Sequence, residues 1–221
     1  MKRKTTSGSI SSITRSVRRT PGQKPDATVA APVAPAIVPG RLHDVVNDTK
    51  SRAFCGPTAV AAITGEPVSR VRDAFRLVRY GANWTSRHRS PPIMGTYPHE
   101  VESALRLFGY VGVWRTVEGL PTLAAYLEGR EGLQRTHPCV VRVKRHVVAV
   151  SGWVFCDTLS KGQVVDADKA PGRRKRVKEV FVVTRRITPA AHIPTKTPAP
   201  ARTARLIAGR RTAADMAAAA W

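Results

Sequence analysis

The sequence predicts an α+β domain in which helices come first and an antiparallel sheet follows. Two observations carry the order of elements: apolar residues recur at helical spacing up to residue 109, each run stopping at a glycine, and from Pro138 the texture changes to valine-rich alternation. A third sets the limits. Residues 1–40 contain no aromatic side chain, and residues 187–221 favour Ala, Pro and Thr, so neither end buries enough apolar surface to offset chain entropy. The chain of 221 residues therefore reads as one folded unit over 41–186, flanked by a disordered, basic, Ala/Pro-rich tail at 1–40 and another at 187–221.

The first helix is expected directly after Cys55, in "GPTAVAAITG", and ends at Gly65. In "EPVSRVRDAFRLVRYG" the residues Val71, Ala74, Phe75 and Val78 form an amphipathic stripe, with Pro67 near its start and Gly81 after its end. In "TYPHEVESALRLFG" the stripe is Val101, Ala104, Leu105 and Phe108, and Gly109 is the stop. Residues 111–114 read as a strand and "LPTLAAYLEG" as a short helix. "CVVRVKRHVVAVSGWVFCDT" then reads as consecutive strands, "GQVVDAD" adds a short one, and "RVKEVFVVTR" closes the unit.

The formal charge of +22 is the strongest bulk signal. The two tails carry +6 and +4, which leaves +12 on the domain. Charge of this size favours polyanions through counterion release, so non-specific nucleic acid is an expected partner. Zinc-finger spacing, a basic zipper and an aromatic RNA-binding signature are all missing from the sequence, which argues against a sequence-specific reader. "GRRKRVK", with Arg173, Arg174, Lys175 and Arg176, is the main phosphate-binding candidate in the domain, and a solvated loop is its plain alternative. Three cysteines without CxxC spacing suggest reduced thiols in a cytoplasmic setting. No stretch is long and apolar enough for a membrane span, and neither a cofactor nor a metal is expected. His137, Cys139, His146 and Cys156 lack the short ligand pair a zinc site uses, and Cys139 and Cys156 read as strand core.

Cys55 carries the chemistry. A thiol at a helix start feels the positive end of the helix dipole, which favours the thiolate. A partner base is found in His146. If Ser151-Gly152 forms a two-residue hairpin turn, position 150 pairs with 153 and His146 faces Asp157 directly, so both side chains leave the same face of the sheet. Asp157 would then orient the imidazole towards a thiol, the arrangement that nucleophilic catalysis needs. Asp166 and Asp168 remain alternatives for that third role.

"FCGPTAVAAITG" followed by "HVVAVSGWVFCDT" resembles the papain-like cysteine peptidase superfamily, most closely its compact bacteriocin-leader-peptidase and bacteriophage-encoded versions, over residues 47–184. The resemblance implies helices packed on an antiparallel sheet, with Cys55 as nucleophile, His146 as base and Asp157 as orienting residue. It also implies a peptide or protein substrate, cleavage of an amide or isopeptide bond, and a phage or mobile-element setting in host cytoplasm or virion interior. The superfamily places an oxyanion-binding Gln about six residues before the cysteine. Here that position is Thr49, so Asn47 is taken as the substitute donor, beside the backbone N–H of Cys55. Two rivals share the fold: an inactive, nucleic-acid-associated or virion-internal protein, and a transferase using the same triad.

Overall fold

The computed structural model describes residues 41–196. The expected tail at 1–40 lies outside the described residues, as does 197–221 with its Ala-rich "AADMAAAAW". The part of the chain that is described is α+β, as the order of patterns requires.

Helix α1 (Cys55–Thr64) begins at the cysteine itself and is buried from Gly56 to Ile63. A helix apolar all round belongs in a core, and small Ala and Gly side chains let its neighbours approach on every side. Gly65 ends it in the left-handed region (φ 76°), with its N–H on the Ala61 carbonyl at 2.8 Å. Helices α2 (Val68–Tyr80) and α3 (Pro98–Leu107) bury the stripes read from their spacing, except that Val78 is only half-buried. Between them run a 3-10 turn at Ala82–Ser86 and an extended loop to Tyr97.

Arg79 of α2 ties that loop to α3. Its Nε and Nη2 donate to the two carboxylate oxygens of Glu100, both at 2.7 Å, and Nη2 also reaches the Gly95 carbonyl. Glu100 in turn accepts from the Tyr97 N–H at 2.8 Å, so one buried carboxylate caps α3 and fixes Arg79. Burial would raise the Glu100 carboxyl, but the Arg79 guanidinium and the Tyr97 N–H outweigh it and hold the group below its ordinary range.

The sheet has six antiparallel strands in the order β1 (Tyr110–Thr116), β6 (Val177–Arg186), β2 (Cys139–Val143), β3 (His146–Ser151), β4 (Val154–Cys156), β5 (Val165–Asp166). Alternation along the strands divides the core in two. Val140, Val147, Ala149, Cys156 and Phe181 meet α1, α2 and α3 on one face. Val141, Val148, Val150, Phe155 and Val180 lie on the other, under α4 (Leu123–Gly129) and the turn at Ala167–Lys169. A one-turn helix, α5 (Gly132–Thr136), follows α4; its five residues are too few for a periodic signal.

Two expectations are corrected. The β3–β4 turn is Gly152–Trp153, not Ser151–Gly152, because the observed pairs are Ser151 with Val154, Val150 with Phe155 and Ala149 with Cys156. Gly152 has φ 53°, and the turn takes its glycine at the first central position rather than the second. The register is thereby displaced by two residues, which preserves the face each side chain occupies. The second correction concerns the end of the domain. Beyond Arg186 the chain stays against α3: the Ile187 N–H donates to Gly109 O at 2.8 Å, the Ala190 N–H to Leu107 O at 2.9 Å, and Ile193 is buried. A short apolar return of this kind has no periodicity to announce it.

Candidate active site

Cys55 is the first residue of α1, where no intrahelical carbonyl awaits its N–H. The helix starts here because Phe54 is extended and the Thr58 N–H closes the first turn on the Phe54 carbonyl at 3.0 Å. Pro57 sits in the first turn, where its missing N–H costs no hydrogen bond. Gly56 is dictated by contact: a Cβ there would stand 2.6 Å from Thr96 Cγ2 and 2.9 Å from Thr96 Cβ. Gly56→Ala is therefore expected to destabilise the domain by about 1–3 kcal/mol in urea denaturation, with part of the loss recovered in the Gly56→Ala/Thr96→Gly double variant.

His146 opens β3 after a tight turn in which Arg145 has φ 57°. Its Nε2 lies 2.7 Å from Asp157 Oδ2. In the observed register Asp157 follows the end of β4 and meets His146 along the diagonal, rather than straight across as the sequence reading placed it. The Asp157 side chain has no exposed surface and that of His146 retains 10 %. Asp157 Oδ1 accepts the N–H groups of Leu159 at 2.8 Å and Ser160 at 2.7 Å, so the carboxylate is held by its own turn while Oδ2 serves the imidazole. With Nε2 engaged, Nδ1 is the ring atom left for the Cys55 thiol.

The electrostatics of the three thiols separate cleanly. Burial pushes both Cys139 and Cys156 up to about 12. Burial acts on Cys55 in the same sense, but hydrogen bonding and charge from His146, with backbone N–H groups of Val147 and Gly56, bring its thiol below the ordinary value. For His146, burial would lower the imidazole, yet Asp157 and Cys55 raise it to about 9. The two shifts run in opposite directions, and each favours the charged form of its own group.

The other residues singled out in the sequence fall elsewhere. Asp166 is exposed and bonded to Lys169 at 3.2 Å, and Asp168 is exposed. Asn47 is exposed and sits in a local turn: Nδ2 donates to Ser51 O at 3.2 Å, and Oδ1 accepts from Thr49 N and Thr49 Oγ1. A short polar loop favours this Asn-centred turn, which engages one of the two amide N–H donors. The basic run is divided. Arg173 bonds Glu128 at 3.2 Å and the carbonyls of Ala167 and Asp168, while Arg176 donates to Leu120 O at 3.2 Å. Arg174 is exposed and Lys175 half-buried. Sequence reading missed Thr96, whose role depends on a contact across 40 positions. It also missed Ser160, although an Asp followed three residues later by Ser is itself a turn signal.

The described residues form an α+β domain in which Cys55 opens a buried helix and His146 is bonded to Asp157. Among the described residues there is no cluster of three or more His, Cys, Asp or Glu able to hold a metal, and no helix long and apolar enough to cross a membrane. Neither a family model nor a curated protein sequence matches the chain. Among solved structures it is similar to a double glycine motif protease from an AMS/PCAT transporter, crystallised in complex with the leader peptide. The identity is 17 % and the TM-score 0.39, over 66 % of this chain and 95 % of that one. A likeness this distant transfers no residue role.

Proposed function

We propose that the domain is a papain-like cysteine peptidase-type hydrolase that cleaves an amide or isopeptide bond. The observation that carries this is the 2.7 Å bond from His146 Nε2 to Asp157, with the Cys55 thiol lowered at the start of α1. The Cys55 thiolate attacks the substrate carbonyl carbon, and negative charge develops on the carbonyl oxygen near the Cys55 N–H. Collapse breaks the C–N bond, and the His146 imidazolium gives its proton to the departing amine. Water, losing a proton to the neutral imidazole, then hydrolyses the thioester. An amine in place of that water would make the same site a transferase.

The test is alkylation by iodoacetamide across pH with Cys139 and Cys156 as internal controls, followed by cleavage of a mixed peptide library. Cys55 is expected to react below the usual thiol range while the other two remain silent. Reaction no faster than an ordinary thiol of pKa about 8.5 overturns the reading.

A second component rests on the +22 charge and the exposed Arg174: the chain associates with nucleic acid without sequence preference. Binding to duplex DNA is expected to fall steeply between low and physiological salt and to be unchanged by Cys55→Ala. Salt-independent or absent binding removes it.

A further inference from the structure

At the end of α1 away from Cys55 lies a recess of about 170 Å3, lined among others by Thr64, Glu66, Arg70, Tyr110 and Arg186. Thr64 is the last residue of α1, so at about 1.5 Å of rise per residue the recess stands roughly 14 Å from the thiol. It is no part of the catalytic constellation.

Arg186 is the side chain in it that lacks a partner. Its guanidinium lies 3.6 Å from the centre of the Tyr110 ring, the residue it pairs with between β6 and β1. That contact fixes the group but supplies no acceptor to its edge. Arg186 Nε is buried and finds none among the described residues. The carboxylate in the lining, Glu66, pairs with Arg70 instead, at a loose 3.5 Å. A buried donor without an acceptor is costly, and such a group marks the place of a water, an ion or a ligand.

Charge and geometry decide among these. Two arginines against one glutamate leave the lining positive, so an anion satisfies both the donor and the charge, whereas water satisfies only the donor. Glu66 and the negative end of α1 oppose an anion, so affinity has to come from directed hydrogen bonds. Donors stand on three elements: Arg186 on β6, Arg70 on α2 and Tyr110 on β1. Burial pushes the Tyr110 hydroxyl up, which keeps it a donor at neutral pH. A tetrahedral oxyanion can accept from several directions at once, and a flat carboxylate cannot.

We propose that this recess binds a phosphate group with three or more free oxygens, gripped by Arg186 and Arg70. Its source is either free phosphate or the phosphorylated end of a nucleotide strand. A phosphodiester within a strand has only two free oxygens and carries a sugar on each side, which suits a small recess poorly. An occupant here ties the α1–α2 turn to β1, β6 and the return through Ile193.

The test is proton–nitrogen correlation NMR of the full-length chain, read at the arginine Nε–H groups. Arg72 is the internal control: its Nε is buried and partnerless too, but two residues beyond Arg70 it stands on the other side of α2. Sodium phosphate is titrated against sodium chloride at constant ionic strength. The Arg186 Nε–H signal is expected to move downfield and to saturate at one phosphate per chain, with Arg72 unmoved. Arg186→Gln and Arg70→Gln are each expected to weaken binding by about tenfold or more, read at the Tyr110 amide, while Arg174→Gln changes nothing. Arg70 is exposed, so its variant keeps the test open if Arg186→Gln does not fold. Tetrathymidylate with and without a 5′-phosphate separates the sources: movement with the phosphorylated strand assigns a strand end, and movement with inorganic phosphate alone assigns the free ion. An unmoved Arg186, or an equal response to the unphosphorylated strand, overturns the inference. So does equal movement of Arg72, which is general counterion uptake by a chain of charge +22. None of these outcomes depends on Cys55, so the site and the peptidase reading stand or fall separately.

Discussion

His146→Ala is expected to slow Cys55 alkylation at pH 6.5 by about a hundredfold and to cost any peptide cleavage about 10³-fold or more. On the peptidase reading, the ion pair is the reactive form between the lowered thiol value and the raised imidazole value of about 9. Cleavage should therefore rise as pH climbs through the thiol's lowered pKa and fall as pH passes about 9, where the imidazolium loses the proton it must give to the leaving amine. Without the imidazole the hydrogen bond and the positive charge both vanish while burial remains, so the thiol moves back up and its profile loses the acidic limb. Stopped-time alkylation read by mass spectrometry, with Cys139 and Cys156 in the same spectrum, measures this directly. An unchanged profile in the variant would mean that helix α1 alone activates the sulfur.

Asp157→Ala is the second large effect, and it joins stability to chemistry. The substitution strands the Leu159 and Ser160 N–H groups and frees the imidazole in a site with no solvent at the carboxylate. A loss of about 3 kcal/mol in urea denaturation is expected. Asp157→Asn separates the two roles. Its amide oxygen can still accept from Leu159 and Ser160, so most stability should return. The negative charge beside Nε2 is gone, so the imidazole should titrate well below the wild-type value, as read by NMR of the His146 ring. Equal stability loss in both variants would place the importance of Asp157 in its charge rather than in the turn.

Much of this site was legible in the sequence because its parts are local. A cysteine at a helix start and a histidine on a valine-rich strand are patterns of adjacent residues. The partnership of His146 with Asp157 was reached through a hairpin register wrong by two, and it survived because a displacement of two leaves every side chain on its face. A displacement of one would have reversed it. Asn47 is less legible: its amide has two competing uses within four residues, and sequence alone does not show that a local turn takes part of it. The divided basic run shows the same limit. Sequence counts Arg173 and Arg176 as free charge, but only packing reveals that one braces Glu128 and the other a carbonyl.

The strand order carries a consequence for how the molecule comes into being. β1 and β2 are joined only through β6, whose pairing of Tyr110 with Arg186 closes a long segment of chain. Contacts so distant in sequence are slow to form, and no local structure substitutes for them. During synthesis, at roughly 5–20 residues per second, the thiol end and the imidazole end of the domain are made well before the strand that knits the sheet. The nascent chain thus holds Cys55 and His146 for roughly two to eight seconds before β6 is complete, and the sheet stays open over that interval.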